Sequence, residues 1–354
     1  MSAENSIDIS ATLARLSQGM SMSREEAAST MHAVMTGAVT DIQLAGLLLS
    51  LRTRGETGDE IVGFAETMRS HSLRVELPAL DGPVVDTCGT GGDGHGTFNV
   101  STTAAFVVAG AGVYVAKHGN RAASSQTGSA DLLEALGANA AATPEQVIEA
   151  VVAARFGFML APAYHPAMRH VMPVRRGLGV PTVFNMLGPL SNPAGVKRQV
   201  IGVRNAAVGR LMADALALLG SERVLVVTSS EGCDELTLTG SNCVIDLDAH
   251  RGDIAEYEIS GAAHGLGAVP LNEIRGGDAA TNAEITRRIL DGEPGAHRDT
   301  VVLNAAAALI AAGVADGFGE GVSLAQDAID SGRAVRAMND FVSISKLPGA
   351  TSTP

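Results

Sequence analysis

Over about the first 75 residues the apolar positions recur three and four apart; beyond residue 80 they gather into short, uninterrupted runs. The first pattern is that of amphipathic helices, the second that of strands buried on both faces. In SREEAASTMHAVMTG, Ser23 and Glu26 form a capping box and Gly37 supplies the stop. TDIQLAGLLLSLRTRG repeats the device with Thr40 and Gln43 and ends at Gly55. With SATLARLSQG before them and EIVGFAETMRSHS after, these segments predict about four short helices and no strand, a small helical domain.

After LPALDGP the runs PVVD, VYVAK, FGFMLA, QVIGV and VLVVTS are rich in β-branched residues and mostly separated by helical stretches. That alternation predicts a mostly parallel sheet covered on both faces. One of the helices starts at Thr143 as cap, with Pro144 in its first turn and Gln146 closing a capping box. NCVIDLDAHRGDIAEYEI reads as strands joined by turns, whereas TNAEITRRIL, TVVLNAAAALIAAG and SLAQDAIDSGRAVRAMNDFVSIS return to helix. The predicted fold class is therefore α/β: a small N-terminal helical domain plus a large α/β domain with a mostly parallel central sheet flanked by helices. The stretch AYHPAMRHVMPVRRGLGVPTVFNMLGPLSNPAG is less regular, yet it holds His165, Arg169, His170, Arg175 and Arg176 close together. A basic loop in an acidic protein is a candidate for chemistry.

Composition narrows the class. A hydrophobic content of 46%, 41 glycines and no Trp predict an aliphatic core. The net charge of −13 argues against a general nucleic-acid binder, which needs excess cations to neutralise phosphates. Cys88, Cys233 and Cys243 are few and irregularly spaced, which predicts no disulfide framework or zinc site and a cytoplasmic location. MSAENSIDIS lacks the apolar stretch of a signal peptide, and no run reaches the roughly 20 apolar residues of a membrane span. No membrane partner is expected.

Five glycines fall within the eight residues Gly89 to Gly96 of DTCGTGGDGHGTFNVST, between a predicted strand and a predicted helix. Such a loop is either a flexible connection or an anion cradle whose backbone N–H groups and helix end face a phosphate. It matches neither the Walker loop nor the dinucleotide fingerprint. Asn99, Ser101 and Thr102 stand at the helix start, where they either cap it or contact a ligand. KHGNRAASSQTGSAD follows the next strand, at the edge where open parallel sheets bind ligands; the plainer reading is a polar loop leading into DLLEALG. In SSEGCDELTL, Asp234 and Glu235 are adjacent carboxylates on a loop. They are a solvated pair or, opposite a phosphate cradle, ligands for Mg²⁺ able to neutralise a pyrophosphate leaving group. There is no nucleophile elbow, and Cys88 has no histidine partner in any motif. The predicted chemistry rests on positioning and charge stabilisation, with no covalent or general-base group.

DTCGTGGD, NVST, KHGNR with its following serine pair, VRRGLGVPTVFNMLGPLSNPAG and the Asp234–Glu235 pair closely resemble, in order and over nearly the whole chain, the anthranilate phosphoribosyltransferases of tryptophan biosynthesis. The resemblance implies a class III phosphoribosyltransferase fold, with a helical domain over 1–76 joined by part of 165–192 and hinged to an α/β domain over 77–354. It implies transfer of phosphoribosyl from phosphoribosyl pyrophosphate to the amine of anthranilate, with Mg²⁺, two ions per subunit, by a cytoplasmic homodimer associating through the helical domain.

Carried over residue by residue, the resemblance places Gly89, Gly92, Asp93, Thr97, Asn99, Val100, Ser101 and Thr102 along the phosphoribosyl pyrophosphate site. Lys117, His118, Gly119, Asn120, Arg121, Ala122, Ala123, Ser124 and Ser125, with Ser129, are expected to wrap its phosphates and ribose. Ser101 is expected to bind one Mg²⁺, and Asp234 and Glu235 a second. Gly89, Asn120 and Arg175 are expected to meet anthranilate, whose carboxylate a guanidinium can take bidentately. His118 and Arg169 line the same route in related enzymes; Cys88 and Cys233 are given no role. Two alternatives stay open. A pyrimidine nucleoside phosphorylase shares the architecture and the glycine loop but needs inorganic phosphate and a nucleobase pocket. A non-catalytic nucleic-acid-binding relative would show a basic groove and lack the acidic pair.

Overall fold

The computed structural model describes residues 7–122 and 126–346; Ala123, Ser124 and Ser125 of the second donor loop lie outside the described residues. Four helices open the chain: α1 (Ile9–Ser17), α2 (Arg24–Met35), α3 (Asp41–Arg54) and α4 (Gly58–Ser70). The Ser23–Glu26 and Thr40–Gln43 capping boxes form as read, and a third, Thr57–Glu60, starts α4. Glu60 does more than cap. Fully buried, it ion-pairs with Arg54 and accepts the N–H of Met22 at 2.9 Å and of Thr57 at 2.9 Å. A buried carboxylate so fully satisfied ties α4 to the end of α3 and to the α1–α2 turn.

The rest alternates strands and helices: β1 (Val84–Gly89), α5 (Val100–Gly110), β2 (Tyr114–Gly119), α6 (Ser129–Ala135), α7 (Pro144–Ala154) and β3 (Phe156–Leu160). The irregular stretch becomes α8 (Ala161–Tyr164), a 3-10 turn over Pro166–His170, α9 (Met172–Leu178) and α10 (Phe184–Leu190). Then come β4 (Arg198–Gly202), α11 (Ala206–Leu218), β5 (Arg223–Ser229), β6 (Asn242–Asp248), β7 (Asp253–Ile259), α12 (Ala279–Leu290) and α13 (Ala296–Ala312). The last expected helical segment is two helices, α14 (Phe318–Asp330) and α15 (Arg333–Ile344), because Gly332 adopts φ 71° between them and turns the chain.

The strands form one sheet in the order β3-β2-β1-β4-β5-β6-β7. Pairing is parallel from β3 to β5 and antiparallel for β6 and β7, so the sheet is mostly parallel as expected. Chain order reverses beside β1, where β2 lies on one side and β4 on the other. That switch point opens a crevice at the carboxyl ends of β1 and β4. Alternate strand residues feed opposite layers. Val85, Val115, Val200 and Leu225 pack with α5, α13, α14 and α15, whereas Ile201, Val224 and Val226 pack with α11. The same second cluster contains Leu47, Leu51 and Phe64 of the opening helices together with Val174 of α9 and Leu187 of α10. The helical bundle thus shares its core with α9, α10 and one face of the sheet. No helix among the described residues is long and apolar enough to cross a membrane.

Candidate functional site

β1 ends at Gly89 and delivers the glycine loop to the switch point. Gly91, Gly92, Gly94 and Gly96 take φ of 68°, 72°, 83° and 68°, a left-handed backbone that favours glycine. The loop is built, not slack. The Gly91 N–H donates to Asp234 Oδ2 at 2.7 Å, Arg204 donates to the Gly92 carbonyl at 3.2 Å, and the Asp234 N–H lies 3.4 Å from Asp93 Oδ2. At the start of α5 the Ser101 N–H donates to Glu235 Oε1 at 3.2 Å. The two adjacent acids therefore grip the cradle at both ends.

This approach requires bare backbone below it. A Cβ on Gly202, at the end of β4, would stand 1.6 Å from the Asp234 carbonyl oxygen, and one on Gly89 would stand 2.7 Å from Asp234 Oδ2. Burial is the first cause raising the carboxyls of Asp234 and Glu235 well above the usual carboxylate range. Repulsion from Asp93 adds to it at Asp234, and repulsion from Asp234 adds to it at Glu235. Ligand atoms of Asp93, Cys233 and Asp234 all lie within 4.8 Å of one another. Burial holds the Cys233 thiol protonated, so the hard donors of the group are the carboxylates.

Asn99, Ser101 and Thr102 do not cap α5 with their side chains. Asn99 occupies the N-cap position without a cap bond; its amide donates to the Thr127 carbonyl at 3.1 Å and its oxygen accepts from Asn282 at 2.9 Å. The Thr102 hydroxyl is buried with no hydrogen-bond partner. Thr97 forms an isolated bridge with Arg275, and Val100 is fully buried.

The KHGNR segment is divided by strand alternation. Lys117 is 1% exposed and points beneath α5, its ammonium on the Thr87 carbonyl and 3.4 Å from the Ser101 hydroxyl. Burial depresses its pKa, with Asp86 as the main opposing charge. The lysine expected to wrap phosphate is thus, in this structure, an internal support behind Ser101. His118 faces the other way, with Nδ1 3.2 Å from the Gly188 carbonyl of α10 and its ring 5.1 Å from that of His165. Nε2 of both histidines is buried without a hydrogen-bond partner among the described residues. Burial pushes His118 down to about 3, the neighbouring His165 adding to the effect, and pushes His165 down to about 4.

Beyond Gly119 the loop folds back onto α6. Asp131 accepts the N–H of Ala122 and of Gly128, each at 2.9 Å, and Arg121 pairs with Asp131 and Glu134. The Asn120 side chain accepts the Arg121 N–H at 2.8 Å, and Ser129 opens α6 against Gly119. Arg175 stands on α9, with its guanidinium 3.4 Å from Asn185 Oδ1 and over the Phe184 ring. It is half-buried with no acidic partner among the described residues, and desolvation lowers its pKa. Arg169 donates to His170 at 3.2 Å, away from this crevice wall's other contacts.

Sequence reasoning overlooked Asp86, Asn192, Gly202, Arg204 and Asn282. Buried Asp86 accepts the His118 N–H at 3.2 Å and the Asn192 amide at 2.8 Å, binding β1, β2 and the SNPAG turn together. The first residue of DTCGTGGD and the asparagine of SNPAG were the available signals.

Comparison with known proteins adds to this geometry. Residues 10–72 match the helical bundle domain of a glycosyl transferase family, and residues 81–335 match the α/β domain of that family. The anthranilate phosphoribosyltransferase of Rhodopseudomonas palustris (strain ATCC BAA-98 / CGA009) is 49% identical over 96% of this chain and 99% of its own. The crystal structure of the anthranilate phosphoribosyltransferase from Thermus thermophilus superposes with a TM-score of 0.89 at 44% identity, covering 96% of this chain and 100% of that one. The Saccharomyces cerevisiae enzyme, solved in complex with phosphoribosyl pyrophosphate and Mg, superposes with a TM-score of 0.85 at 28% identity, covering 95% and 98%.

Proposed function

The chain belongs to the anthranilate phosphoribosyltransferase family, and from that membership we infer the division of labour within its site. It transfers the phosphoribosyl group of 5-phosphoribosyl 1-pyrophosphate to the amine of anthranilate, giving N-(5-phosphoribosyl)anthranilate and pyrophosphate in tryptophan biosynthesis. The observation carrying the assignment of roles is the meeting of Asp234 and Glu235 with the N–H groups of Gly91 and Ser101. Acids placed there face the groups that would cradle a diphosphate.

The donor set fits Mg²⁺. Asp93, Asp234 and Glu235 offer hard oxygens, and burial with mutual repulsion disfavours the charge of the adjacent pair until a cation offsets it. In this reading Asp234 and Glu235 hold one ion and Ser101 another, two per subunit. Bound Mg²⁺ supplies neutralisation of the negative charge on the diphosphate.

The chain's own groups do the rest. Backbone N–H groups of the glycine loop and the start of α5 orient the phosphates, with Gly119, Asn120, Arg121 and Ser129 of the second donor loop beside them. Lys117 acts from beneath, holding Ser101 in place. Arg175, with no acidic partner among the described residues, takes the anthranilate carboxylate, and neutral His118 and His165 give the aryl amine an uncharged wall. A bond then forms from the amine nitrogen to the anomeric carbon as the bond to pyrophosphate breaks, and the proton the nitrogen loses passes to the departing pyrophosphate. A neutral amine needs no strong base beforehand, which suits a site of positioning groups. Exclusion of water protects the donor from hydrolysis.

The subunit acts as a homodimer through its helical bundle. Ile42 is 85% exposed, and Met20 and Leu49 also show apolar surface there. Three free cysteines suit a cytoplasmic location. Anthranilate fluorescence tests the activity: the protein with Mg²⁺ should consume anthranilate only when phosphoribosyl pyrophosphate is present. No consumption by folded, Mg²⁺-replete protein sinks the reading.

A further inference from the structure

Neither substrate loop stands alone; a segment from far along the chain braces both. Before α12, Ile274–Asp278 runs beside the glycine loop: the Phe98 N–H donates to the Ile274 carbonyl at 3.3 Å, and the Gly276 N–H donates to the Gly96 carbonyl at 3.0 Å. The approach is close enough that a Cβ on Gly276 would stand 2.6 Å from the Phe98 Cα and 2.6 Å from Asn282 Oδ1. Asn282, on α12 and 2% exposed, accepts the Gly277 N–H at 2.8 Å and donates to Asn99 Oδ1 at 2.9 Å. That bond orients the Asn99 amide so that its nitrogen donates to the Thr127 carbonyl at 3.1 Å, in the second donor loop. The Thr127 hydroxyl returns to the Gly277 carbonyl at 2.8 Å, closing a ring through three chain segments.

We propose that Asn282 is a positioning residue for the phosphoribosyl pyrophosphate site: it sets the rotamer of Asn99 and locks the glycine loop to the loop carrying Thr127. The proposal rests on the assignment of that site to the glycine loop. Asn282 touches no reacting atom; it acts through Asn99. Its absence leaves Asn99 free to turn and the part-buried N–H of Gly277 without its acceptor, so the loops lose their shared geometry while Arg175 and the α9–α10 wall keep theirs.

Steady-state kinetics of N282A, N282D and T127V tests this, with wild-type protein assayed alongside. N282A should raise KM for phosphoribosyl pyrophosphate about tenfold, through loss of its hydrogen bonds to Asn99 and Gly277, and leave KM for anthranilate and kcat within about twofold. N282D keeps an acceptor for Gly277 but offers Asn99 no donor, so it should share the defect. A wild-type KM in folded N282A, a loss confined to kcat, or full rescue in N282D overturns the proposal. T127V, which removes the hydroxyl that bonds the Gly277 carbonyl, carries the same test if N282A fails to fold: a rise in the same KM supports the ring, and no rise overturns it. Inactive wild-type protein would instead overturn the assignment of the site.

Discussion

The crevice has two walls built from opposite chemistry. One, at the carboxyl ends of β1, β4 and β5, crowds Asp93, Asp234 and Glu235 against backbone N–H groups. The other, from β2 and the helices between residues 161 and 190, gathers the side chains of His118, His165 and Arg175, which hydrogen-bond no carboxylate among the described residues. Desolvation is the leading cause of every shift resolved at these two histidines, at Arg175 and at the acidic pair, yet its outcome differs. It pushes the acids up toward their neutral form and the imidazoles down to theirs. The first wall becomes a place where a cation relieves a penalty; the second sets two neutral imidazoles beside the Arg175 guanidinium. A donor bearing phosphates and an acceptor bearing one carboxylate call for that asymmetry.

Removing the acids should break the contrast most severely. D234A/E235A should lower turnover at limiting Mg²⁺ about a thousandfold, the scale of several kcal/mol of charge stabilisation. Unchanged turnover would remove the metal role from that wall. R175A should raise KM for anthranilate by about 10- to 100-fold, as expected for a hydrogen bond to a charged group, and spare KM for phosphoribosyl pyrophosphate. Equal rises in both constants would show that the walls do not divide the substrates.

A separate contrast is in pH dependence, where the walls should move in opposite directions. Below about pH 6.5 the unfolded chain protonates histidines that His118 and His165 leave neutral when folded. The histidines' contribution to stability is therefore full above that pH and falls as pH drops toward 4, by about 1.4 kcal/mol per histidine per unit. Urea unfolding of H118N/H165N should show a flatter acid limb than wild type. The carboxyls, raised on folding, contribute stability at low pH that is lost as pH rises above the ordinary carboxylate range. Mg²⁺ should accordingly raise Tm more at alkaline than at mildly acidic pH; an equal rise at both would deny the pair its charge penalty.

The sequence showed one kind of information well. A capping box is an i to i+3 relation, so Ser23–Glu26, Thr40–Gln43 and Thr143–Gln146 were readable without knowing the fold. Short apolar runs marked every strand of the parallel core, and the glycine loop with Asp234 and Glu235 marked the crevice. Direction and distance were another matter. Lys117 and His118 are neighbours in KHGNR, and only strand alternation sends one beneath α5 and the other toward α10. Asn99 resembled a cap because it stands at the helix start, whereas its partners come from Thr127 and Asn282. Gly202 looked like any strand glycine until the backbone of Asp234 crossed above it. Contacts between distant segments depend on sheet order, and no local spacing encodes that.

Lys117 has a use beyond holding Ser101. The chain's lysines are Lys117, Lys197 and Lys346; the last two are exposed and the first is 1% exposed. An amine-acylating reagent in the native protein therefore reaches Lys197 and Lys346 at once, and Lys117 only during excursions that lift α5 from the sheet. Acylation at Lys117 becomes a clock for the breathing of the cradle, with two internal standards on the same chain. A ligand that draws the loops together slows that clock, and peptide mass spectrometry reads it without any engineered label.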